Sequence, residues 1–340
     1  MRMVLARLAS VSLLLAFASA VSAQPAPFEW PRATPDQARI DPAMPEALKA
    51  SLANNRRLLT FGLVRDGKLI IEHYQGEAQP DSYVGIASVT KSITAILVGI
   101  ALDKGVLKSV DQPLTDFFPE LDAPDVDPKS RTITLAHLLS LSAGWAVSPS
   151  DEPPENPLDA LKRQVTLTPG ETFQYDNASS HLIAIALARA IGGPLETFAE
   201  KHLFEPLGIK GYLWGRDNQG RVLGWHRMQF TLRDTLKFGQ LVLDKGEWQG
   251  RRVVSAGWIE AMLTRRNAGG PYTNMPYGYQ WYLFRTPDRK HEAVMGIGYG
   301  GQFLYVVPEL RTAVVITHVR DQRSADMAFM REIVMPAIRP

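Results

Sequence analysis

Apolar residues form short runs near both ends of the chain and longer helical patterns between them. Residues 59–64 and 69–74 are rich in apolar and β-branched side chains and flank Arg65-Asp66-Gly67-Lys68, a tight-turn sequence. Such a pair of runs predicts a β-hairpin. Residues 93–102 are nearly all apolar and are followed by Lys104-Gly105. Because a helix that is apolar on most sides is buried and glycine commonly ends helices, we predict a buried helix here.

The middle of the chain, from about residue 106 to 270, has mainly helical patterns, and the C-terminal part returns to strands. The clearest helical stretches are residues 134–142, 179–191, 231–245 and 255–264. The strand-like stretches are residues 279–285, 293–298, 302–307 and 312–319, and residues 324–338 predict a closing helix. Strands at both ends predict an α+β fold, in which an antiparallel sheet built from both termini is flanked by helices and carries an inserted all-helical region. Because the sequence shows no internal repeat and no linker, residues 24–340 are predicted to form a single domain.

Two segments lack regular patterns. Residues 25–45 are rich in proline, and we expect an extended arm that lies on the surface. Residues 145–157 contain proline, serine and acidic residues and predict a loop, which is compatible with a pocket rim and equally with a plain surface connection.

The first 23 residues have the pattern of a cleavable signal peptide. Arg2 and Arg7 provide a basic start, residues 8–21 are apolar or small, and Val21-Ser22-Ala23 offers a small-residue cleavage site. The apolar run is shorter than the roughly 18–20 residues of a membrane span, and no later stretch reaches that length. We therefore expect a secreted or periplasmic protein, cut after Ala23, without an integral membrane span.

Composition excludes several functions. The 37 basic and 35 acidic residues give a net charge of +2, which does not favour a nucleic-acid or anionic-membrane partner. Cysteine is absent, so disulfides, thiolate catalysis and cysteine metal sites are excluded. The 7 histidines match neither H-x-x-x-H nor H-E-x-x-H, and we expect no metal and no cofactor.

The chain has one Ser-x-x-Lys, formed by Ser88 and Lys91 at the start of the predicted apolar helix. On a helix this spacing places the hydroxyl and the amine on one face. A serine becomes a good nucleophile when a neighbouring base takes its proton, and the first helical turn favours an oxyanion. The alternative is a capping serine followed by a surface lysine, since roughly one such match arises by chance in a chain of this length. The apolar surroundings instead favour a buried Lys91 with a partner or a lowered pKa.

A second motif, Tyr175-Asp176-Asn177, lies in a turn-rich approach to the helix at 179–191. With the leader and the Ser88–Lys91 pair, it resembles the serine β-lactamase and penicillin-binding-protein superfamily, specifically the branch of class C β-lactamases, DD-peptidases, esterases and 6-aminohexanoate-dimer hydrolases. The resemblance covers nearly the whole mature chain. Supporting stretches are residues 135–144, 233–241 and 300–309. A second Tyr-x-Asn, Tyr272-Thr273-Asn274, has no helix after it and is interpreted as a loop.

The resemblance implies roles for these residues. Ser88 would attack an ester or amide carbonyl and become acylated, while Lys91 and Tyr175 relay the proton. Which of the two is the base stays open, because coupled groups titrate as a unit. Asn177 would contact the substrate or steady Lys91. The plainer alternatives are an asparagine at a helix N-terminus and, for Tyr175, a tyrosine that packs there.

The third motif of the family, Lys or His followed by Ser or Thr and then Gly, is replaced by residues 296–302, Gly-Ile-Gly-Tyr-Gly-Gly-Gln. The resemblance places Gly298 and Tyr299 at an oxyanion hole, a task for which main chain suffices. The missing cation weakens the case for efficient β-lactam or peptidoglycan turnover. The stretch also matches G-x-G-x-x-G, but a strand follows it where a dinucleotide site needs a helix.

The sequence thus predicts a serine hydrolase that acts on a small ester or amide, closest to the 6-aminohexanoate-dimer hydrolase and esterase branch. A class C-like β-lactamase or DD-peptidase is the alternative among enzymes. Outside enzymes, the alternative is a cell-wall or β-lactam binding protein that does not turn over. The acyl group, the leaving group and the oligomeric state stay open.

Overall fold

The computed structural model describes residues 28–53, 55–148, 152–270, 275–319 and 328–339. Its helices are α1 Met44–Ala53, α2 Val89–Asp103, α3 Leu135–Leu139, α4 Asn177–Ile191, α5 Leu195–Ala199, α6 Leu232–Leu243, α7 Ala256–Met262 and α8 Met335–Ala337. Its strands are β1 Leu58–Arg65, β2 Lys68–Tyr74, β3 Val84–Gly85, β4 Leu213–Trp214, β5 Met228–Phe230, β6 Glu247–Trp248, β7 Arg251–Arg252, β8 Tyr282–Arg285, β9 Glu292–Gly298, β10 Gln302–Val307 and β11 Thr312–His318.

The main sheet joins the two ends of the chain. Its six antiparallel strands have the order β2-β1-β11-β10-β9-β8, so β1 pairs with both its hairpin partner and the last strand. Asp66 and Gly67, between β1 and β2, both have positive φ, 49° and 72°, as the two-residue turns favoured in hairpins require. The predicted hairpin and the predicted sheet from both termini are therefore confirmed.

The sheet is covered on both faces, and β11 shows how the two cores are separated. Val314 and Ile316 belong to the core beneath α1 and the C-terminal helical turns, whereas Ala313 and Val315 belong to the larger core on the other face. Because successive strand residues point to opposite faces, a strand buried on both sides reads as a continuous apolar run. The larger core contains α2 and α6, which pack directly on the sheet.

The predicted apolar helix is α2, the most completely buried helix near the sheet. Every residue from Val89 to Ala101 is buried, including Lys91. α2 contacts α4, α7 and β9, and Gly105 follows its end with a left-handed φ of 69°. The predicted helices of the middle region, α3, α4, α6 and α7, all start within two residues of their expected positions. That region also contains the short strands β4 to β7, which the patterns did not predict.

The described part of the predicted surface arm, which begins at residue 28, has mostly exposed or partly exposed residues, but buried anchors fix it to the core. Trp30 and Ile40 are buried, with 7% and 1% exposure, and the Trp30 indole donates to the Arg233 carbonyl. Helix α1 then starts at Met44. Single buried anchors separated by irregular backbone leave no periodic signal, so the pattern missed both the burial and the helix.

Some predicted features lie outside the described residues. These are the leader at 1–23, residues 149–151 of the predicted loop, the second Tyr-x-Asn at 272–274, and residues 324–327 at the start of the predicted last helix. The described end of the chain is helical at Met330–Val334 and in α8.

Over the described ranges, no single helix combines the length and apolar composition of a membrane span. Two successive helical segments, Asn177–Ile191 and Leu195–Phe204, have that length and composition only when they are taken together, and an 81° bend separates them. The same ranges contain no cluster of three or more potential metal-ligating side chains.

Replacing Gly99 in the middle of α2 by alanine should destabilise the protein, although alanine is the better helix former. A Cβ at Gly99 would lie 1.9 Å from Trp258 Cδ1, and overpacking of a filled core costs about 1–3 kcal/mol. The matched control is Gly257→Ala in α7, where a Cβ meets nothing within 4 Å, and which should be neutral or stabilising by up to about 1 kcal/mol. Urea unfolding measures both free energies; equal effects would contradict the packing of α2 on Trp258.

Candidate active site

Ser88 occupies a tight turn immediately before α2. Ala87 has a left-handed φ of 45°, and the turn is closed by hydrogen bonds from the Val89 and Thr90 N–H groups to the Ile86 and Ala87 carbonyls, both 3.1 Å. β3, just upstream, is paired with β5. Non-glycine residues in this backbone region carry strain and persist only where the surroundings hold them. The serine side chain is thus projected from a turn that is fixed on both sides.

Lys91 is buried one helical turn further on and is only 2% exposed. Its Nζ donates hydrogen bonds to Ser88 Oγ at 2.9 Å, to Asn177 Oδ1 at 2.7 Å and to the Trp225 carbonyl at 3.1 Å. These three acceptors match the three donors of an ammonium group. The alternative of a surface lysine is therefore wrong: Lys91 is fixed against Ser88.

Burial lowers the pKa of Lys91 below its ordinary value of 10.5, because the charged form loses its water. The neighbouring Tyr175 phenol, by charge and hydrogen bonding, and the Asp176 carboxylate oppose this effect. The lysine is consequently easier to deprotonate than a lysine in water.

Tyr175 reaches Ser88 from the other side of the site. Its hydroxyl lies 3.0 Å from Ser88 Oγ, and Lys91 Nζ lies 4.9 Å from the centre of its ring. Tyr175 is 41% exposed, so it contacts both Ser88 and solvent. Ser88 Oγ is therefore within hydrogen-bonding distance of both a phenol and an amine.

The turn that carries Tyr175 is held by Asp176, the N-cap of α4. Its carboxylate accepts from the Ala178 and Ser179 N–H groups at 3.3 and 3.0 Å and pairs with Arg163 at 2.7 Å. Burial alone would raise the pKa of Asp176, but Arg163 and the hydrogen bonds from Ser179 outweigh it and hold the pKa below its ordinary value. The ionised cap orients both Tyr175 and Asn177.

Asn177, at the first position of α4, is buried and accepts the shortest hydrogen bond of Lys91. The sequence allowed Asn177 to be a plain helix-terminal residue or a residue that steadies Lys91. The structure shows it at the helix terminus and in contact with Lys91. The amide therefore links α4 to α2 through the lysine.

The third motif forms the turn between β9 and β10, where Gln302 pairs with Gly298. A Cβ at Gly298 would lie 2.5 Å from the Ile86 carbonyl oxygen and 3.0 Å from Ala87 Cβ. Only glycine permits this close approach, which places the end of β9 against the turn of Ser88. The Tyr299 side chain is half-exposed.

Gly296, two residues earlier on the same strand face, packs directly on α2. A Cβ there would lie 2.9 Å from Ser92 Oγ and 3.1 Å from Val89 Cγ1. A lysine or histidine side chain has no room at this point. Where the family pattern has a cationic side chain, this chain has a glycine that lets β9 pack closely on α2.

The sequence analysis missed the segment 224–226, whose Trp225 carbonyl accepts from Lys91. Its neighbour Gly224 is fixed by Thr94 Oγ1, which donates to the Gly224 carbonyl at 3.0 Å, and by its N–H, 3.4 Å from His181 Nδ1. A backbone carbonyl is present whatever the side chain is. The residue type at 225 therefore could not have revealed this acceptor.

Two cavities adjoin the surroundings of Ser88, one lined by Tyr175 and the other by Ala87. A narrow one of about 60 Å³ is lined by Tyr175, Asn177, Arg163 and residues 143–148, so the described part of the predicted 145–157 loop does rim a pocket. A larger one of about 450 Å³ is lined by residues that include Gly85, Ala87, Trp214, Arg227 and Gln302.

The comparisons with known proteins identify the family of this chain. The family model described as Beta-lactamase matches residues 45–336, and the chain belongs to this family of serine hydrolases.

A 6-aminohexanoate-dimer hydrolase of Paenarthrobacter ureafaciens is 26% identical over 335 residues, which cover 82% of this chain and 80% of the relative. Among solved structures, a penicillin-binding protein homologue of Caulobacter crescentus superposes with a TM-score of 0.70 at 18% identity, covering 90% of this chain and 98% of its own. A class C β-lactamase of Rhodobacter sphaeroides gives 0.64 at 16% identity, covering 85% and 96%. At these identities the structural matches establish the fold, as expected from the sequence.

The lowered pKa of Lys91 predicts a pH-dependent contribution to stability. The folded protein binds this proton less tightly than the unfolded chain, so the free energy of unfolding gains from Lys91 as pH rises from the folded-state pKa towards 10.5. The unfolding free energy of the wild type minus that of Lys91→Met, from urea titrations between pH 7 and 10, should increase with pH.

The control is Lys162→Met. The ion pair with Asp125 raises the pKa of Lys162, so its contribution is complete below the unfolded-state pKa and should be constant over the same range. A flat difference for Lys91→Met would contradict a depressed lysine pKa.

Proposed function

We propose that this protein hydrolyses a small ester or amide through an acyl-enzyme on Ser88, as a member of the 6-aminohexanoate-dimer hydrolase and esterase branch. The observation that carries the proposal is the convergence of Lys91 Nζ and Tyr175 OH on Ser88 Oγ, at 2.9 and 3.0 Å. Nucleophile and base within such distances are the signature of an activated serine.

In the acylation step, the Lys91–Tyr175 pair takes the proton of Ser88, and Oγ attacks the substrate carbonyl carbon. The resulting oxyanion is stabilised by the main-chain N–H groups of Ser88 and Tyr299. Main-chain donors are sufficient for this task. Collapse of this intermediate breaks the bond to the leaving group, and Tyr175 returns the proton to the departing oxygen or nitrogen. The exposed position of the Tyr175 ring suits an exchange of protons with both substrate and water.

In the deacylation step, a water molecule replaces the leaving group. The same pair takes a proton from the water, which attacks the acyl carbon, and Ser88 Oγ leaves with the proton that the pair returns. Lys91 stays anchored to Asn177 and Trp225 throughout, so it acts by its charge and its proton without a change of position.

Two observations support the ester and amide branch. A relative that is matched over 80% of its length is a 6-aminohexanoate-dimer hydrolase. The third motif has glycine at 296, with no room for the cation that grips a substrate carboxylate in the family pattern. The leader-like sequence of residues 1–23 supports the further proposal that this activity lies outside the cytoplasm, in the periplasm or the medium.

A class C-like β-lactamase or DD-peptidase is the second candidate, and the fold shared with a class C β-lactamase favours it. Nitrocefin or D-Ala-D-Ala peptide turnover that exceeds p-nitrophenyl ester turnover would decide for it. The non-enzymatic alternative, a binding protein, requires acylation without release. A stoichiometric burst that is followed by no steady-state product would identify it.

Ser88→Ala should abolish labelling by a fluorophosphonate, because Oγ is the atom that forms the covalent bond. The control is Ser92→Ala, one turn further along α2, whose buried hydroxyl donates to the Gln280 carbonyl at 2.8 Å. It should cost about 1 kcal/mol of stability and keep the label. Intact mass and peptide mapping give the site, and a label on any residue other than Ser88 would refute the assignment.

Tyr175→Phe should lower kcat for p-nitrophenyl acetate by roughly 10²–10⁴-fold, the usual contribution of a positioned acid–base group, with little change in KM. The phenyl ring keeps its packing, so only the proton relay is lost. Tyr83→Phe removes a comparable half-exposed hydroxyl and should leave both constants unaltered. A loss of less than about tenfold for Tyr175→Phe would assign the base role to Lys91 alone.

A further inference from the structure

The larger cavity lies against the backbone that presents Ser88. It is lined by Gly85 and Ala87, and by Gln302 at the start of β10. The Gln302 amide is fully engaged with His318: Nε2 donates to the His318 carbonyl at 3.0 Å, and Oε1 accepts from the His318 N–H at 2.9 Å. The cavity wall beside the nucleophile is therefore rigid.

Arg227 is the charged residue of this cavity. The described lining includes no carboxylate, and none of the ion pairs found among the described residues involves Arg227, which is an exposed residue. The narrow cavity differs, because its Arg163 is bound to Asp176 through two hydrogen bonds of 2.7 and 3.3 Å. An arginine in a concave wall without a partner is suited to bind a carboxylate.

The backbone at Arg227 is held in a strained conformation. Its φ is 66°, in the left-handed region where glycine would avoid the strain. The chain is held there from both sides: the Arg227 carbonyl accepts from the Gly215 N–H at 3.0 Å, and the adjacent Met228 carbonyl accepts from the Ile86 N–H at 3.1 Å. Strain that the surroundings enforce is typical of functional positions.

The aliphatic part of the Arg227 side chain packs on Gly215. A Cβ at Gly215 would lie 2.6 Å from Arg227 Cβ and 2.7 Å from its Cδ. The stem thus lies flat on the glycine backbone, with Trp214 and Leu213 beside it in the cavity lining. This arrangement offers apolar surface for methylene groups and one cationic group.

The proton relay identifies which part of the substrate enters this cavity. Tyr175 must lie beside the leaving group in order to protonate it, and Tyr175 lines the narrow cavity but not the larger one. The acyl chain then extends to the opposite side, past Ala87.

We propose that the larger cavity is the acyl-group subsite and that Arg227 binds a carboxylate at the far end of the acyl chain. The inference rests on the acyl-enzyme function proposed above and names its substrate class: half-esters and half-amides of aliphatic dicarboxylic acids. The third motif has no cationic side chain. Arg227, directly before β5, supplies the positive charge instead. The covalent step is the acylation already described, and the distal carboxylate takes no part in bond changes.

The test compares two esters of equal chain length, the mono-p-nitrophenyl ester of adipic acid and p-nitrophenyl hexanoate. The measured quantity is the ratio of their kcat/KM values. Arg227→Gln should lower this ratio at least about tenfold, the range of a charge-assisted hydrogen bond. Arg227→Glu should shift the preference towards the p-nitrophenyl ester of 6-aminohexanoic acid, whose chain ends in an ammonium.

Two further variants separate a binding role from a structural one. Arg227→Gly should lower the ratio equally while Tm does not fall, because glycine relieves the left-handed strain. Arg216→Gln is the control, since this exposed arginine pairs with Glu196 at 2.7 Å and lies outside the cavity lining; its ratio should equal that of the wild type. Equal ratios in the wild type and Arg227→Gln would overturn the inference.

The proposed function has its own readout. Hydrolysis of p-nitrophenyl hexanoate that Ser88→Ala abolishes would uphold the acyl-enzyme even where the Arg227 ratio does not change. If neither ester is hydrolysed in a Ser88-dependent manner, both proposals fall together.

Discussion

The burial of Lys91 is the constraint on which the site depends. An amine that is almost completely removed from water is tolerated only when its hydrogen-bonding groups are satisfied. Its three acceptors, Ser88 Oγ, Asn177 Oδ1 and the Trp225 carbonyl, come from three separate parts of the chain. Each of those parts must be held in place for the lysine to be buried at all, so the fold and the reactive serine are specified together.

Small residues make that convergence possible. A Cβ at Gly224 would lie 2.6 Å from the Ser180 carbonyl oxygen of α4, and a Cβ at Gly298 would lie 2.5 Å from the Ile86 carbonyl oxygen. These contacts bring the segment of the Trp225 carbonyl against α4 and the end of β9 against the turn that carries Ser88. A catalytic constellation that relies on backbone groups needs this close approach, because the groups themselves cannot be extended by a longer side chain.

The same close packing bears on specificity. Gly296 fits against α2 without space for a longer side chain, so the edge of the site formed by β9 is neutral. The positive charge that faces a cavity beside Ser88 instead comes from Arg227, on a segment that β5 and Gly215 hold. The proposed acyl subsite thus draws its charge from a loop of the inserted region, and loops tolerate change at little cost to the core.

The sequence by itself determined the elements whose patterns are local and periodic. The β1–β2 hairpin, α2 and the Ser88–Lys91 spacing follow from turn residues, an apolar run and helical geometry, and the family motifs added Tyr175 and Asn177. The burial of Trp30 and Ile40, helix α1, the Trp225 carbonyl and the position of Arg227 were decided only by the tertiary structure. They depend on contacts between residues far apart in the chain, or on backbone atoms that are identical in every residue, and neither leaves a pattern in the order of side chains.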